Sequence, residues 1–503
     1  MATRTGAGAG ADRPKKQIML NAFDMFTPSH LSFGQWRQPG SRAKDKRRDL
    51  SYWTDLAKLL EKGGFTSLFL ADSYGLYDVY KGSEAESIKN AAQFPIADPT
   101  IPISAMAAVT NNLNFAITTS TSYEKAYVVA KRFSTLDHLT NGRFGWNIVT
   151  SWKESASKAV GLPLVDHDKR YDDADEYIRL LYKLWEGSWA DDALKEDIES
   201  GVYTDNTKVR RIVHRGIHQT DAPFIVDPSP QRTPVLFQAG TSPAGVKFGS
   251  THGEGIFVGG FSPHIIAPRV KALRESAAAA GRDPASIKVF AEISPFLGRT
   301  EEEARDKYDK ALEYGLVDGG LAMASASYGF DLSKFDPDHE LQPEDITNIN
   351  RVRSQLHNLQ YRGDDVPKLT PRNLGILAAV GGSFSPTPVG TAEQVADVIE
   401  KWVEVADVDG FNIGHIVTPQ SYIDVVELLI PELRRRGIFP QQEEASEPLT
   451  FRERIYGKGQ RGLRSDHPGY RYRYDNYETA IKEDREKAAA VALASGGGSA
   501  TTS

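Results

Sequence analysis

The sequence predicts an α/β protein built on a single (β/α)8 barrel, and three observations support this fold class. Eight short apolar runs alternate with segments whose apolar residues recur at helical spacing. Polar residues follow several of these runs directly, at the position where the parallel strands of a barrel present their ligand-binding ends. None of the eight runs reads as the edge strand of an open sheet, so we expect a closed barrel.

One junction between a helix and a strand is especially clear in the sequence. The helix that begins near Lys125 is expected to end at Asn141-Gly142, where glycine can take the left-handed conformation, and an apolar run starts at Phe144. Such a helix entering a strand is half of a parallel βαβ unit. The predicted strands span residues 18–23, 65–70, 113–117, 144–149, 235–238, 255–258, 288–293 and 411–417. The predicted helices span residues 50–62, 100–110, 125–139, 171–185, 268–280, 392–405 and 423–435.

Four segments organise the chain around this barrel. Residues 1–16 form a Gly/Ala-rich tail that we expect to be disordered, and residues 17–440 form the barrel. Within the barrel, residues 315–388 make a long excursion after strand seven, a length that is usually functional and often forms a lid. Residues 441–503 are a C-terminal extension whose end, from Ala488, is again expected to be disordered.

Composition excludes several classes of function. The 503 residues include 60 basic and 67 acidic side chains, for a net charge of -7, so there is no basic field for nucleic acid or an anionic membrane. The absence of cysteine removes disulfides, thiolate nucleophiles and cysteine metal sites. No apolar run approaches the length of a bilayer span, and the default expectation is a cytoplasmic protein that acts on small molecules.

Two apparent motifs are rejected on context. The pattern Gly457-x-Gly459-x-x-Gly462 matches a dinucleotide fingerprint, but it follows a charged segment and precedes no helix. We therefore predict no nicotinamide site in this chain. The spacing of His214 and His218 is typical of a metal site, yet no third acidic ligand stands at a fixed spacing, so we predict no metal and interpret both side chains as solvated.

The segment from Gln238 to Gly245 is a candidate phosphate loop. It follows a predicted strand and opens a helix, so backbone N–H groups and the hydroxyls of Thr241 and Ser242 are placed to receive a phosphate. An ordinary strand-to-helix turn, with Ser242 as the N-cap and Pro243 at the first helical position, explains the same residues equally well.

A family resemblance adds to this reading. The run Leu-Asp-His-Leu-Thr-Asn-Gly-Arg, followed by Trp-Asn-Ile-Val-Thr-Ser within residues 136–151, closely resembles the flavin-dependent monooxygenases of the luciferase-like superfamily. The nearest branch is that of nitrilotriacetate, dibenzothiophene sulfone and dimethyl sulfide monooxygenases, and the resemblance runs from about Gln17 to about Arg473. It implies a TIM barrel, reduced FMN with O2 as co-substrate, a separate NAD(P)H:FMN reductase, and a homodimer or homotetramer.

The resemblance also implies roles for residues at the ends of the predicted strands. It places His30 near the reactive face as an acid/base or a group that holds activated oxygen, and it tips the loop at residues 238–245 toward phosphate binding. The cofactor contacts that it implies are Asp72, Thr118 and Asn147 for the isoalloxazine, and His167, Tyr171, Thr241 and Ser242 for the phosphate.

The substrate is the least determined feature. We expect Phe23, Phe26 and Trp146 to line the cavity, and Ser327 or Tyr328 to stand where sulfone-cleaving relatives have a second histidine. The loops assigned to the mouth contain no Arg/Lys cluster, and Arg37 and Lys153 lie just outside them, so a small, weakly charged organosulfur substrate is favoured. Three alternatives stay open: an aminopolycarboxylate substrate, a flavin-free barrel lyase or isomerase that binds a substrate phosphate, and a non-enzymatic small-molecule binder.

Overall fold

The fold is a closed barrel of eight parallel strands, as predicted. The computed structural model describes residues 15–240, 242–345, 361, 363, 366–383, 385–441 and 447–496. The first strand pairs with both the second and the eighth, with Met19 opposite Gly410 and Asn21 opposite Ser67, so the sheet closes on itself. The barrel strands are Met19–Met25, Ser67–Ala71, Asn114–Ser120, Phe144–Val149, Val235–Gln238, Gly255–Val258, Lys288–Ile293 and Gly410–Gly414.

The helices pack outside the barrel and bury the outward faces of the strands. The helix Leu50–Gly63 is typical: Asp49 caps its start by accepting a hydrogen bond from the Ser51 N–H, and Gly64 ends it in the left-handed conformation. The main helices between the strands are Leu50–Gly63, Ile103–Ala108, Ala126–Leu139, His167–Gly187, Pro243–His252, Pro263–Ala279 and Ala392–Ala406. After the eighth strand, Gln420–Asp424 continues through a π-helical turn, Val425–Leu429, into Ile430–Arg435.

Two insertions interrupt the alternation of strands and helices. Between the fourth and fifth strands, two antiparallel hairpins lie beside the barrel: Leu194–Asp197 with Val202–Thr204, and Arg211–His214 with Thr220–Pro223. After the seventh strand, Phe296–Leu297 pairs with Val389–Gly390. The segment between these two short strands contains the helices Glu301–Tyr314, Val317–Tyr328 and Pro371–Ala379.

The C-terminal extension closes the bottom of the barrel. The Phe451 ring joins the interior aromatic layer, with its centroid 5.5 Å from that of Phe237. The fully buried Arg452 forms a bidentate ion pair with Glu254, at 2.7 and 2.9 Å. Gly142, at φ 77°, supplies a carbonyl to the Phe451 N–H, so the turn predicted before the fourth strand is also a docking point for the extension.

The last element described is the helix Tyr477–Gly496. The disorder expected from Ala488 onward stays a prediction. Most of the predicted N-terminal tail, residues 1–14, lies outside the described residues. Across the described ranges, no helix is long and apolar enough to cross a membrane.

Candidate active site

A cavity of about 320 Å3 opens at the carboxyl ends of the barrel strands. Its floor is a layer of phenylalanine side chains from four strands, in which the Phe237 and Phe257 rings stack with centroids 5.3 Å apart. Polar side chains from the second to fourth strands and from the seventh and eighth strands surround this apolar floor. The lining residues are Phe23, Phe69, Ala71, Asp72, Thr118, Asn147, Ala239, Phe257, Val258, Gly259, Phe290, Glu292 and Asn412.

Three residues predicted to contact an isoalloxazine meet at this cavity. Asp72 follows the second strand, Thr118 lies in the third, and Asn147 lies in the fourth. Asn147 Nδ2 donates a hydrogen bond of 3.0 Å to Thr118 Oγ1. The Asn147 Oδ1 atom is buried and has no hydrogen-bond partner among the described atoms, so it is free to accept from a ligand.

The candidate phosphate loop lies next to this cavity, at the start of the helix Pro243–His252. Ser242 caps this helix by accepting a 3.1 Å hydrogen bond from the Gly245 N–H. Gly245 has no room for a side chain, because a Cβ there would meet backbone atoms of Gly240 at 2.8 to 2.9 Å. A helix N-terminus reached by such close backbone approach suits an anion. Thr241, also predicted to bind phosphate, lies outside the described residues.

The predicted His and Tyr pair flanks this loop from the first turn of the helix His167–Gly187. The His167 and Tyr171 ring centroids are 5.4 Å apart, and Gln238 Nε2 reaches the Tyr171 hydroxyl at 3.5 Å. Beside them, Arg170 is buried, and its Nε has no partner among the described atoms. Sequence reasoning missed Arg170, although it stands between the two residues that were singled out.

A second cavity, of about 190 Å3, adjoins the first and shares Ala71, Asp72 and Thr118 with it. Its wall includes Gln93 and Lys153. The lining residues are Met25, Ala71, Asp72, Ser73, Tyr74, Tyr77, Gln93, Thr118, Thr119, Ser120, Val149, Ser151, Trp152, Lys153 and Ala156. Lys153 therefore lies in the wall of a cavity, whereas the sequence placed it just outside the mouth.

His30 lies behind both cavity walls and lines neither. Its ring meets the edge of Phe23 with centroids 4.4 Å apart, and its carbonyl accepts a 3.1 Å hydrogen bond from Gln93 Nε2. Burial lowers the pKa of His30 to about 3, with His415 and Lys46 acting in the same direction and Asp24 opposing them. The ring is therefore neutral near pH 7 and can accept or donate a hydrogen bond, but it is not an imidazolium acid.

A buried charge cluster next to His30 was not predicted. Asp24 Oδ1 accepts hydrogen bonds from Lys46 Nζ at 2.5 Å and from His415 Nε2 at 2.9 Å, and both Asp24 and Lys46 have fully buried side chains. The Tyr52 hydroxyl reaches the other oxygen of Asp24 at 3.3 Å. Burial alone would raise the pKa of Asp24, but the charges of Lys46 and His415 hold it well below its usual value.

Two residues predicted to line the cavity point elsewhere. Trp146 is fully buried against the helices, where its indole N–H donates to the Thr119 carbonyl and its ring packs on Phe133. Successive strand residues face opposite sides, so Asn147 faces the interior while Trp146 faces out. Phe26 packs edge-on against Trp53, with centroids 5.0 Å apart, and not against either cavity.

The predicted replacements for a second histidine are also displaced from the cavities. Ser327 and Tyr328 end the helix Val317–Tyr328, and neither lines the two cavities described above. Tyr328 packs in an apolar cluster that also contains Tyr77 and Tyr80. The helix ends at Gly329, which takes the left-handed conformation and donates its N–H to the Ser325 carbonyl.

The two histidines with metal-like spacing were predicted to be solvated, and the structure places both half-buried against a helix. His214 Nε2 lies 3.3 Å from a Glu176 oxygen, and the His218 ring packs edge-on against Tyr177, with centroids 4.9 Å apart. They thus attach the second hairpin to the helix His167–Gly187. Within the part of the chain that the structure describes, no group of three or more His, Asp or Glu side chains is placed to hold a metal ion.

Glu292 is a further unpredicted group in the larger cavity. It stands in the seventh strand and accepts a 3.1 Å hydrogen bond from Ser385 Oγ. Burial raises the pKa of Glu292 to about 7, and burial likewise raises that of Asp72, on the same cavity, to about 7. The signal in the sequence was a lone acidic residue inside an otherwise apolar strand.

The raised pKa of Glu292 predicts a pH-dependent stability that Glu292→Gln removes. Below about pH 4.5 the carboxyl is protonated in the folded and unfolded chain alike. As the pH rises to about 7, only the unfolded chain ionises, so stability is lost across this window. We expect this carboxyl to lower the free energy of unfolding of the wild type by about 3 kcal/mol across the window. Glu292→Gln should lack this contribution.

Urea unfolding of both proteins at half-unit steps from pH 4.5 to 8 measures this difference. Glu302→Gln, at an exposed position in the helix Glu301–Tyr314, is the matched control and should follow the wild type. Parallel pH profiles for the wild type and Glu292→Gln would show that the pKa of Glu292 is the same in the folded and unfolded protein and is not raised by burial.

The residues at the barrel mouth fit FMN. An isoalloxazine needs an apolar slab, polar groups at its pyrimidine edge and an anion site within reach, and these correspond to the phenylalanine floor, the Thr118–Asn147 pair and the loop at Gly240–Ser242. The unpartnered Asn147 Oδ1 would accept from an imide N–H. The arrangement defines a (β/α)8-barrel enzyme whose site can hold a flat, phosphorylated cofactor.

The chain belongs to the luciferase-like monooxygenase family, whose model matches residues 23–408. It is 43% identical over 461 residues to the dimethyl-sulfide monooxygenase of Hyphomicrobium sulfonivorans, covering 91% of this chain and 94% of that protein. It is 42% identical over 460 residues to the long-chain alkane monooxygenase of Geobacillus thermodenitrificans, covering 91% and 98%. The fold matches that of a riboflavin lyase solved with modified FMN and riboflavin, with a TM-score of 0.81 at 38% identity, covering 91% of this chain and all of that one.

Proposed function

We propose that this monooxygenase uses reduced FMN and O2 to oxygenate and cleave a small organosulfur compound, a sulfide or a sulfone-like molecule. The observation that carries the proposal is the cavity at the barrel mouth, with its aromatic floor, its Thr118–Asn147 edge and the phosphate loop beside it. A relative that shares 43% identity is a dimethyl-sulfide monooxygenase, which supports the substrate class.

When bound, reduced FMN supplies the two electrons that allow one atom of O2 to enter the substrate while the other leaves as water. The residues of this chain provide the surroundings for that reaction. The phenylalanine floor excludes water beneath the cavity, and Glu292 can exchange a proton near neutral pH because its pKa is about 7. Neutral His30 supports the cavity walls through Phe23 and Gln93. The excursion at residues 315–388 is proposed to act as a lid.

The reduced flavin is proposed to come from a separate NAD(P)H:FMN reductase. The only glycine pattern of the dinucleotide type that falls in the described residues begins at Gly457, the C-cap of the helix Phe451–Tyr456, and it follows no strand. We expect the purified protein to bind FMN and to consume no NADH alone. Mixing it with NADH and FMN, with and without an added flavin reductase, tests this directly.

The proposed substrate class is tested by oxygen uptake with a reductase supplied. We expect dimethyl sulfide or a small sulfone to raise coupled oxygen consumption above the rate with flavin alone, with an aldehyde or sulfite as product. Nitrilotriacetate should support less turnover, because three carboxylates need several cationic partners in a cavity whose described lining supplies only Lys153. Coupled turnover of nitrilotriacetate without any turnover of sulfides or sulfones would contradict the proposal.

A long-chain alkane is the second candidate substrate. It is favoured by the 42% identity to a long-chain alkane monooxygenase and by the aromatic floor of the cavity. The adjoining cavity argues against it, because an alkane there would cover the buried Lys153 ammonium without supplying an anion or a further hydrogen bond. Including hexadecane in the same oxygen-uptake panel separates the two. Turnover of hexadecane in preference to sulfides would favour the alkane.

A further inference from the structure

The smaller cavity contains a buried lysine that no step described so far uses. Lys153 follows the fourth barrel strand, and only 9% of its surface is exposed. Its ammonium donates to Ser73 Oγ at 3.0 Å and to the Gly75 carbonyl at 3.2 Å. An ammonium has three N–H donors, so these two bonds leave one for another partner.

The charge of Lys153 is poorly compensated by the protein. Burial lowers the pKa of Lys153 to about 7, and Asp78 and Asp72 oppose this only through longer-range attraction. Among the described carboxylates, none forms an ion pair with Lys153. Burying a lysine without a paired anion is costly, and such a residue in the wall of a cavity is a candidate for binding a ligand of opposite charge.

The surroundings of the ammonium hold it in place. Nζ lies 4.0 Å from the centroid of the Tyr77 ring, and Tyr77 is fixed by a 2.6 Å hydrogen bond from its hydroxyl to Gln93 Oε1. The side chain therefore has little freedom to leave the wall. Asp72 lines the same cavity, but its raised pKa of about 7 reduces its repulsion of an anion at and below neutral pH.

We propose that Lys153 is a specificity-determining residue that binds a single oxyanion, a carboxylate or sulfonate, carried by the substrate in the smaller cavity. The inference rests on the proposed function and narrows it from an organosulfur compound to a mono-anionic one. The single available donor and the small cavity, about 190 Å3, distinguish such a substrate from one with several carboxylates. The reacting sulfur would then lie toward Asp72 and Thr118, which the two cavities share.

Three probes of similar size test this assignment: methylthioacetate, its neutral amide, and the dianion thiodiacetate. We expect the wild type to bind methylthioacetate more tightly than the amide. Lys153→Met should weaken the binding of methylthioacetate by roughly 10- to 100-fold and change the affinity for the amide little. Lys153→Arg, which keeps the charge, should recover part of the loss. Isothermal titration with oxidised FMN bound gives the dissociation constants without turnover, and oxygen uptake gives kcat and KM separately.

Lys158→Met is the matched control, because Lys158 is an exposed lysine of the adjoining helix Glu154–Ala159 that pairs with Glu154 at 3.1 Å. It should leave all three affinities unchanged, and FMN binding should be intact in every variant. Equal weakening of methylthioacetate and its amide in Lys153→Met, or a fall in kcat for all substrates at constant KM, would overturn the oxyanion role. A wild type that binds methylthioacetate through Lys153 but oxygenates no sulfide would refute the proposed function and leave the binding assignment standing.

Discussion

Ser242→Asp is expected to weaken FMN binding by roughly a hundredfold or more and to weaken riboflavin binding far less. The Ser242 side chain caps the helix Pro243–His252, at the loop proposed to hold the phosphate. A carboxylate placed about 4 Å from a phosphate raises the free energy of the complex by about 4 kcal/mol at an intermediate effective dielectric. Riboflavin lacks the phosphate, so it escapes that repulsion.

Ser242→Asn is the control for this substitution, because asparagine and aspartate are both good helix caps and differ in charge. The Asn variant should keep most of the FMN affinity, and both variants should unfold at similar denaturant concentrations. Fluorescence quenching titrations with FMN and riboflavin give the four dissociation constants needed. If the Asp variant loses affinity for FMN and for riboflavin by the same factor, the phosphate lies elsewhere and the pocket assignment is wrong.

The barrel could be predicted from the sequence because its strands are buried on both faces. The third strand, Asn114–Ser120, is buried at every residue, so it reads as one continuous run rather than an alternating pattern. The ends of the strands were harder to place. The first strand was predicted to stop at Phe23, but it continues through Asp24 to Met25, because Lys46 and His415 compensate a charge that looks like the start of a loop.

The two faces of a doubly buried strand cannot be told apart from composition. Trp146 was predicted to line the cavity together with its neighbour Asn147, yet strict alternation sends the two side chains to opposite sides. The opposite error affected Lys153, which was set aside because it lies just outside the loop assigned to the mouth after the fourth strand. Its side chain turns back over Tyr77 and reaches the cavity wall. The mouth was predicted to hold no Arg/Lys cluster, and the described lining of the two cavities indeed offers a single cation, Lys153.

Long-range partners explain the rest of what the sequence did not reveal. Asp24 and His415 are 391 residues apart in the chain and 2.9 Å apart in the fold, since the first and eighth strands close the barrel. Nothing local marks either residue as half of a pair. The cluster that Asp24 and His415 form with Lys46 supports the loop carrying His30. The stability of this cluster is therefore linked to the shape of the cavity walls.

Lys46→Met is expected to destabilise the protein by about 3–5 kcal/mol near pH 7, because it leaves the Asp24 carboxylate buried without its main partner. The double variant Asp24→Asn, Lys46→Met should lose less stability than Lys46→Met alone, because it buries neither the carboxylate nor the ammonium. The stability deficit of Lys46→Met should shrink as the pH falls, because the isolated Asp24 carboxyl gains a raised pKa and takes up a proton more readily than in the unfolded chain.

Lys44→Met, at an exposed position two residues away, is the control and should leave stability unchanged. Urea unfolding of the four proteins at pH 5 and pH 7.5 gives the comparison. A single variant as stable as the control at both values would show that the cluster is held by packing rather than by charge.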